Sequence, residues 1–441
     1  MSDLLNSRSS RFWLAAVVVC GLLLQTWLFV RSWLSGDQLV LLQLGLDFVS
    51  THDLKAVAKG MSGSGHLPGG LLQLVIGVPL LIYPHFKSPN VVVFLSHIAA
   101  LWIFIRVLRP SVSPIFLVIF AGLYWLSPWR LYHAGFLWEP SLLYLPAAAH
   151  LWACWRSRDT RAIVPSFILG LLMTATLQLH ASFLILVVLT VLLWVGRRIR
   201  VHLLAAGAGL IVGGLTLIPT IIAWYQGTLP GVNPSDGFVG RGLVYVFPLL
   251  KGVLYWIRFI SSDAGSTIKT TMFMRGEWGD GSACRAIVSA VVYGLFYAGT
   301  ASILLCVPAV YRFVRDHLTH WNKRVHEPMA WLMQYALYAL GAMLVAVALS
   351  PVTTQSWHVI LILPAACLSA SYWFEQQWMN GRALMRYAII ALIVIRIPLT
   401  ITFGLGHDRY RKRPLSEFVD EANISPELRE LIPRVPAEKE E

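Results

Sequence analysis

Residues 12–38 read FWLAAVVVCGLLLQTWLFVRSWLSGDQ, an apolar run long enough to cross a bilayer followed by Gly36-Asp37-Gln38. A helix needs about 20 mostly apolar residues to span the hydrocarbon. No small-residue cleavage site follows the run, which therefore reads as a retained anchor rather than a removed signal peptide. A carboxylate at the end of such a span is costly unless it has work to do. Asp37 is thus the first candidate for chemistry.

The rest of the 441-residue chain repeats the theme. It is 57% hydrophobic with 13% charged residues, against roughly 25% charged in soluble domains. Mean hydropathy is +0.65. The apolar runs are solid rather than alternating, which selects helices over a membrane barrel. A formal charge of +13 raises the question of nucleic acid. The basic residues cluster at the ends of apolar runs, however, which is a signature of topology, and no nucleic-acid partner is expected. The five cysteines are scattered, four of them inside apolar runs. They offer neither a disulfide framework nor metal-ligand spacing.

Spans are predicted near 12–33, 90–107, 113–128, 140–155, 162–178, 182–196, 203–225, 286–311, 329–350, 358–374 and 386–404. The fold class is therefore an all-α polytopic membrane protein of about eleven transmembrane helices. Leu71 to Pro84 is apolar but carries Gly77, Pro79 and Pro84, and is placed flat at the interface. With the N-terminus inside, the inner loops hold Arg106 and Arg109, then Arg156, Arg158 and Arg161, then Arg197, Arg198 and Arg200. Arg312, Arg315, Lys323, Arg324, Arg382 and Arg386 continue the pattern. Every short inner loop is basic, as the positive-inside rule requires. The outer face then receives loops 35–89 and 226–285, the second with a surface helix over Leu243 to Ile260. Residues 1–404 form one transmembrane module, and 405–441 a short tail assigned to the outside. Its basic run Arg409 to Arg413 is the one discordant charge cluster.

Several polar groups gather on that outer face. Glu139 stands just before Pro140, where a helix begins, with Trp138, Arg130 and His133 nearby. His180 follows Gln178 at the tip of a short hairpin between spans. Each has an ordinary explanation: an aspartate N-cap, an acid in a helix's first turn, an interfacial histidine. Together they suggest a polar hollow in which a carboxylate could take a proton from an attacking hydroxyl. Arg241, Arg258 and Arg275, or an outward-facing histidine, suit a lipid phosphate, and His358 could close the hollow. His52, Asp53 and His66 have no metal-site spacing. The loop Gly63 to Gly70 lacks a P-loop Lys-Ser/Thr.

The order of these landmarks resembles that of the polytopic GT-C glycosyltransferases, the superfamily containing protein O-mannosyltransferases and the lipid A aminoarabinose transferase. The resemblance runs over roughly residues 10–225: Gly36-Asp37-Gln38, Leu67-Pro-Gly-Gly-Leu-Leu72, Leu126-Ser-Pro-Trp-Arg130, Trp138-Glu-Pro-Ser141 and Gln178-Leu-His180. Two positions depart from the family: Gln38 replaces a second acid, and Glu139 stands where Asn or Asp is usual.

The resemblance implies a GT-C-like bundle and transfer of a sugar from a polyprenyl-phosphate donor, with inversion, on the periplasmic side of a bacterial inner membrane. The acceptor is a glycan, lipid or protein; a pilin or a lipopolysaccharide would serve. Asp37 is then the base, and Glu139 orients acceptor or sugar. His180 and outer arginines meet the departing phosphate. No metal or other cofactor is obligatory. A transporter or flippase of lipid-linked sugar, and a glycan polymerase or ligase, remain open alternatives.

Overall fold

A computed structural model describes residues 7–32, 34, 36–60, 65–229, 246–264, 282–319, 327–350, 354–411 and 425–432. The first helix, α1 (Ser7–Val30), is followed by α2 (Gly36–Thr51), which carries Asp37 in its first turn. A small antiparallel hairpin comes next, β1 (Val57–Gly60) and β2 (His66–Pro68), then the short apolar helix α3 (Leu71–Ile82). The bundle continues with α4 (Ser88–Leu108), α5 (Pro114–Trp125), α6 (Pro128–Ala134), α7 (Tyr144–Arg156), α8 (Ile163–Leu179) and α9 (Phe183–Val195). Then come α10 (Leu203–Gly214), α11 (Ile218–Tyr225) and α12 (Val246–Ile260). The remaining described helices are Ser282–Ala301, Ile303–Thr319, Pro328–Ala348, Leu363–Met379, Ala383–Val394, Arg396–Arg411 and Pro426–Leu431.

Each apolar run of the sequence thus forms helix, and the chain is an all-α multi-pass membrane protein. Among the described residues six helical stretches are long and apolar enough to cross a bilayer, or seven if the bent pair α5–α6 is one span. Other expected spans are shorter helices, such as α8 and α9, that pack within the bundle.

The α5–α6 bend of 52° has a local cause. Pro128 supplies no N–H and disfavours helical geometry at Ser127, whose ψ is 126°. The carbonyl of Trp125 left at the break is taken by Arg130, through Nε at 2.9 Å and a terminal nitrogen at 2.6 Å. The guanidinium also lies over the Trp125 ring and donates to Gln25 Oε1 at 2.7 Å, tying α6 to α1.

Arg396 is a second fully buried guanidinium. It donates to the carbonyls of Gly122, Leu123, Ile260 and Ser261 and to Ser262 Oγ. It thereby caps the C-terminus of α12, where carbonyls would otherwise be unpaired, and fastens it to α5. This mid-bundle cation is a staple.

Helices α8 and α10 meet backbone to backbone. A Cβ on Gly170 would lie 1.9 Å from the Ala206 carbonyl oxygen, and one on Gly209 2.0 Å from that of Phe167. Gly209 and Gly213 form the small-residue spacing that permits such approach in membranes. Gly209→Ala is therefore expected to force the pair apart and cost about 1–3 kcal/mol or more. Gly207, with nothing within 4 Å of a built Cβ, provides the control: Gly207→Ala should leave thermal stability in detergent nearly unchanged. Equal melting of the two variants would refute the close-packing explanation.

Candidate active site

The α8–α10 contact positions the hairpin that carries the central residue of the site. Gln178, near the end of α8, donates from Nε2 to the Gly213 carbonyl at 2.9 Å. Its Oε1 accepts from Thr216 Oγ1 at 2.7 Å and from the Leu71 N–H at 3.3 Å. Gly69, at φ +82°, passes so close that a Cβ there would sit 2.2 Å from Gln178 Oε1, so only glycine fits this turn. The Gly69 N–H donates to Ala56 O at 3.1 Å and Thr220 Oγ1 at 2.8 Å, and the Gly70 N–H to Thr216 O at 2.9 Å. The Pro-Gly-Gly and Gln-Leu-His motifs are thus halves of one clamp that holds the β1–β2 hairpin.

That hairpin presents Lys59. Its ammonium donates to Asp37 Oδ1 at 2.8 Å and pairs with Glu139 Oε1 at 2.8 Å. The two acids, 102 positions apart in sequence (139 minus 37), thus share one cation. Lys59 and Glu139 are 14% and 7% exposed at their side chains, whereas Asp37 is 53% exposed. Burial pushes the Lys59 ammonium toward neutrality, but the two carboxylates outweigh it and the net shift is upward. Lys59 is therefore a cation, and Asp37 is the member of the trio open to a reactant.

An aromatic wall continues from Glu139. Trp138 stacks on His133 with ring centroids 5.4 Å apart and meets Trp357 at 5.4 Å. Trp357 adjoins His358, which faces His180 at 6.0 Å. Ser182 Oγ donates to the His358 carbonyl at 2.8 Å, joining the α8–α9 turn to the segment before Leu363–Met379. His133 is buried with neither ring nitrogen partnered among the described residues. An unpaired buried imidazole is costly, which makes His133 a natural acceptor or donor for a bound hydroxyl. Burial, then His358, His133 and Lys59, hold the His180 imidazole far below its usual range. It is a neutral hydrogen-bonding group: His180 Nδ1 accepts from the Ser182 N–H at 3.0 Å.

Not all sequence candidates gather here. Arg130 faces the core and spends its donors on Trp125 and Gln25, so it is removed from the group expected to meet a lipid phosphate. Arg258 is drawn into an ion pair with buried Asp263 and lies over Trp129 and Tyr255. Arg241 and Arg275 lie outside the described residues. Lys59 escaped the sequence reading, though one signal marked it. Under positive-inside placement a lysine in an outer loop is out of place, and Lys55 is accounted for by its ion pair with Asp47. Among the described residues no group of three or more His, Cys, Asp or Glu side chains is arranged around a metal position.

The cluster's titration has two signs. The unfolded chain protonates His180 below about pH 6.5 whereas the folded chain resists it, so stability is lost as pH falls through that value. The Lys59 contribution is fully present below about pH 10.5 and is lost as pH rises through its higher folded value. His180→Asn is expected to flatten the acid limb of a melting-temperature profile. An acid limb identical to wild type would exclude the buried imidazole as its cause.

Fold and cluster together define a class: a multi-pass all-α membrane protein with an ionised, aromatic-walled site at one end of its bundle. No protein-family model and no curated protein sequence matches the chain. Among solved structures, that of ArnT from Cupriavidus metallidurans bound to undecaprenyl phosphate is similar to it over 90% of this chain and 76% of that one. The TM-score is 0.48 at 12% sequence identity.

Proposed function

We propose that the chain is an inverting glycosyltransferase that moves a sugar from a polyprenyl-phosphate donor to an acceptor hydroxyl on the periplasmic face of a bacterial inner membrane. The observation that carries this reading is Lys59 held between Asp37 and Glu139. A catalytic base needs a reactant-facing carboxylate, and a departing phosphate needs a cation in a water-poor setting. One residue pair supplies both, provided the donor phosphate competes for Lys59. As it does so, Asp37 Oδ1 loses its ion-pair partner and is left free to accept the hydroxyl proton.

In the transfer the acceptor O–H gives its proton to Asp37 while the oxygen attacks the anomeric carbon. The bond from that carbon to the phosphate oxygen breaks, and polyprenyl phosphate leaves with the electron pair against Lys59. Attack opposite the leaving group inverts the centre. Glu139 keeps Lys59 in place, and His133 with Trp138 offers the sugar a polar atom beside an aromatic face. No step calls on a metal. The basic ends at Arg156 to Arg161 and Arg197 to Arg200 support the orientation, since they lie at the opposite end of α8 and α9 from His180. Deleting the gene and weighing envelope glycoconjugates by mass spectrometry tests the reading. One lipid, glycan or protein is expected to lose the mass of a single sugar; loss of a whole preassembled oligosaccharide would favour a ligase instead.

A further inference from the structure

We propose that a cleft at the end of the bundle remote from Lys59 binds the phosphate headgroup of an anionic diacyl phospholipid. The cleft, of about 720 Å³, lies between the turn before α8 and the α9–α10 connection. Arg161, Arg197, Arg200 and His202 all line it. Helix α8 has 17 residues, so this end stands roughly 25 Å from His180. The inference is independent of the glycosyltransferase reading.

Basic residues at helix ends are ordinary topology signals, and several on this side of the bundle are accounted for. Arg158 pairs with Asp159, Arg315 pairs with Asp316, Arg106 lies over Trp102, and Arg386 donates to the Trp378 carbonyl. The three arginines of the cleft are set apart by their convergence: all face one cavity, and none is in an ion pair with a carboxylate among the described residues. The backbone is bent to arrange this. Arg197 adopts φ +55° at the end of α9, a conformation that usually falls to glycine. His202 adds a directed donor. Its Nδ1 accepts the Ala205 N–H at 3.2 Å, so the ring proton resides on Nε2.

The rim decides between a lipid and a soluble anion. Leu203 and Leu204 are 65% and 83% exposed in the first turn of α10, and Trp194 of the cleft wall is 48% exposed. Apolar side chains bordering a ring of guanidinium groups match acyl chains beneath a phosphodiester, and basic pockets between membrane helices suit anionic headgroups.

The full chain, delipidated in detergent, can be titrated with phosphatidylglycerol or phosphatidylcholine and read by native mass spectrometry. Wild-type protein is expected to retain one phosphatidylglycerol at a concentration at least about tenfold below that needed for phosphatidylcholine. The triple variant R161Q/R197Q/R200Q should lose the preference, and R106Q/R109Q/R382Q, which removes as much charge from the same side, should keep it. Loss of inner charge can disturb insertion, so the wild-type comparison stands by itself: equal uptake of the two lipids overturns the proposal. Equal loss in both triple variants would reduce the cleft to diffuse charge, which also overturns it. Complete displacement of phosphatidylglycerol by millimolar inorganic phosphate would assign the cleft to a soluble anion and defeat the lipid assignment.

Discussion

Asp37→Asn is expected to lower glycosyl transfer by about 10²–10⁴-fold, the range for removing a general base, while expression and thermal stability stay near wild type. The structural effect is small because the Asp37 side chain is half exposed and its amide replacement can still accept from Lys59. The chemical effect is large because an amide takes no proton from an attacking hydroxyl. Glu139 cannot substitute, being buried and paired with Lys59. Transfer within a few-fold of wild type would remove Asp37 from the mechanism.

Lys59→Met should be damaging in both stability and activity. Glu139 is buried and Lys59 is only 14% exposed at its side chain, and removing one partner of a largely buried pair costs up to about 3 kcal/mol. The Asp37 contact adds little, being screened at its exposed end. A drop in melting temperature is therefore expected for Lys59→Met and a much smaller one for Asp37→Asn. Transfer should also fall by about 10²–10³-fold, the loss typical of deleting one group that stabilises developing negative charge. Lys59→Arg separates the two effects: it keeps the cation, and so should restore most of the stability. Its broader fork cannot keep both carboxylates in place, so kcat should remain low. Full activity of Lys59→Met in protein that still folds would leave the leaving group without its proposed partner.

Much of this organisation could be read in the sequence, and the exceptions have physical causes. Apolar runs map onto helices because length and hydropathy alone decide whether a segment can satisfy its backbone inside lipid. Leu71–Ile82, interrupted by glycine and proline, forms a 12-residue helix too short to span. The C-terminal Pro426–Leu431 also forms its helix, packed against α2. The hairpin of Val57–Gly60 and His66–Pro68 was not legible, since strands of four and three residues carry no periodicity. Lys59 was lost with it.

Gln178 and Arg130 show a different limit. Both stand in motifs beside the site, and both prove to be fasteners, one for the hairpin and one for the broken α5–α6 helix. Spacing in a sequence shows proximity to a site but not which way a side chain turns. Arg396 makes the same point from the opposite direction. An ionisable residue in a span invites a transport reading, yet its acceptors are carbonyls of two chain segments and one serine hydroxyl.

The most direct test follows the lipid product. Purified full-length protein in proteoliposomes, given a synthetic polyprenyl-phosphate sugar and an envelope fraction from the deletion strain, should release one polyprenyl phosphate per sugar transferred. Asp37→Asn should release none above background. Wild-type protein that carries the donor intact across the bilayer, with no polyprenyl phosphate released, would contradict a transferase and leave a lipid-sugar transporter in its place.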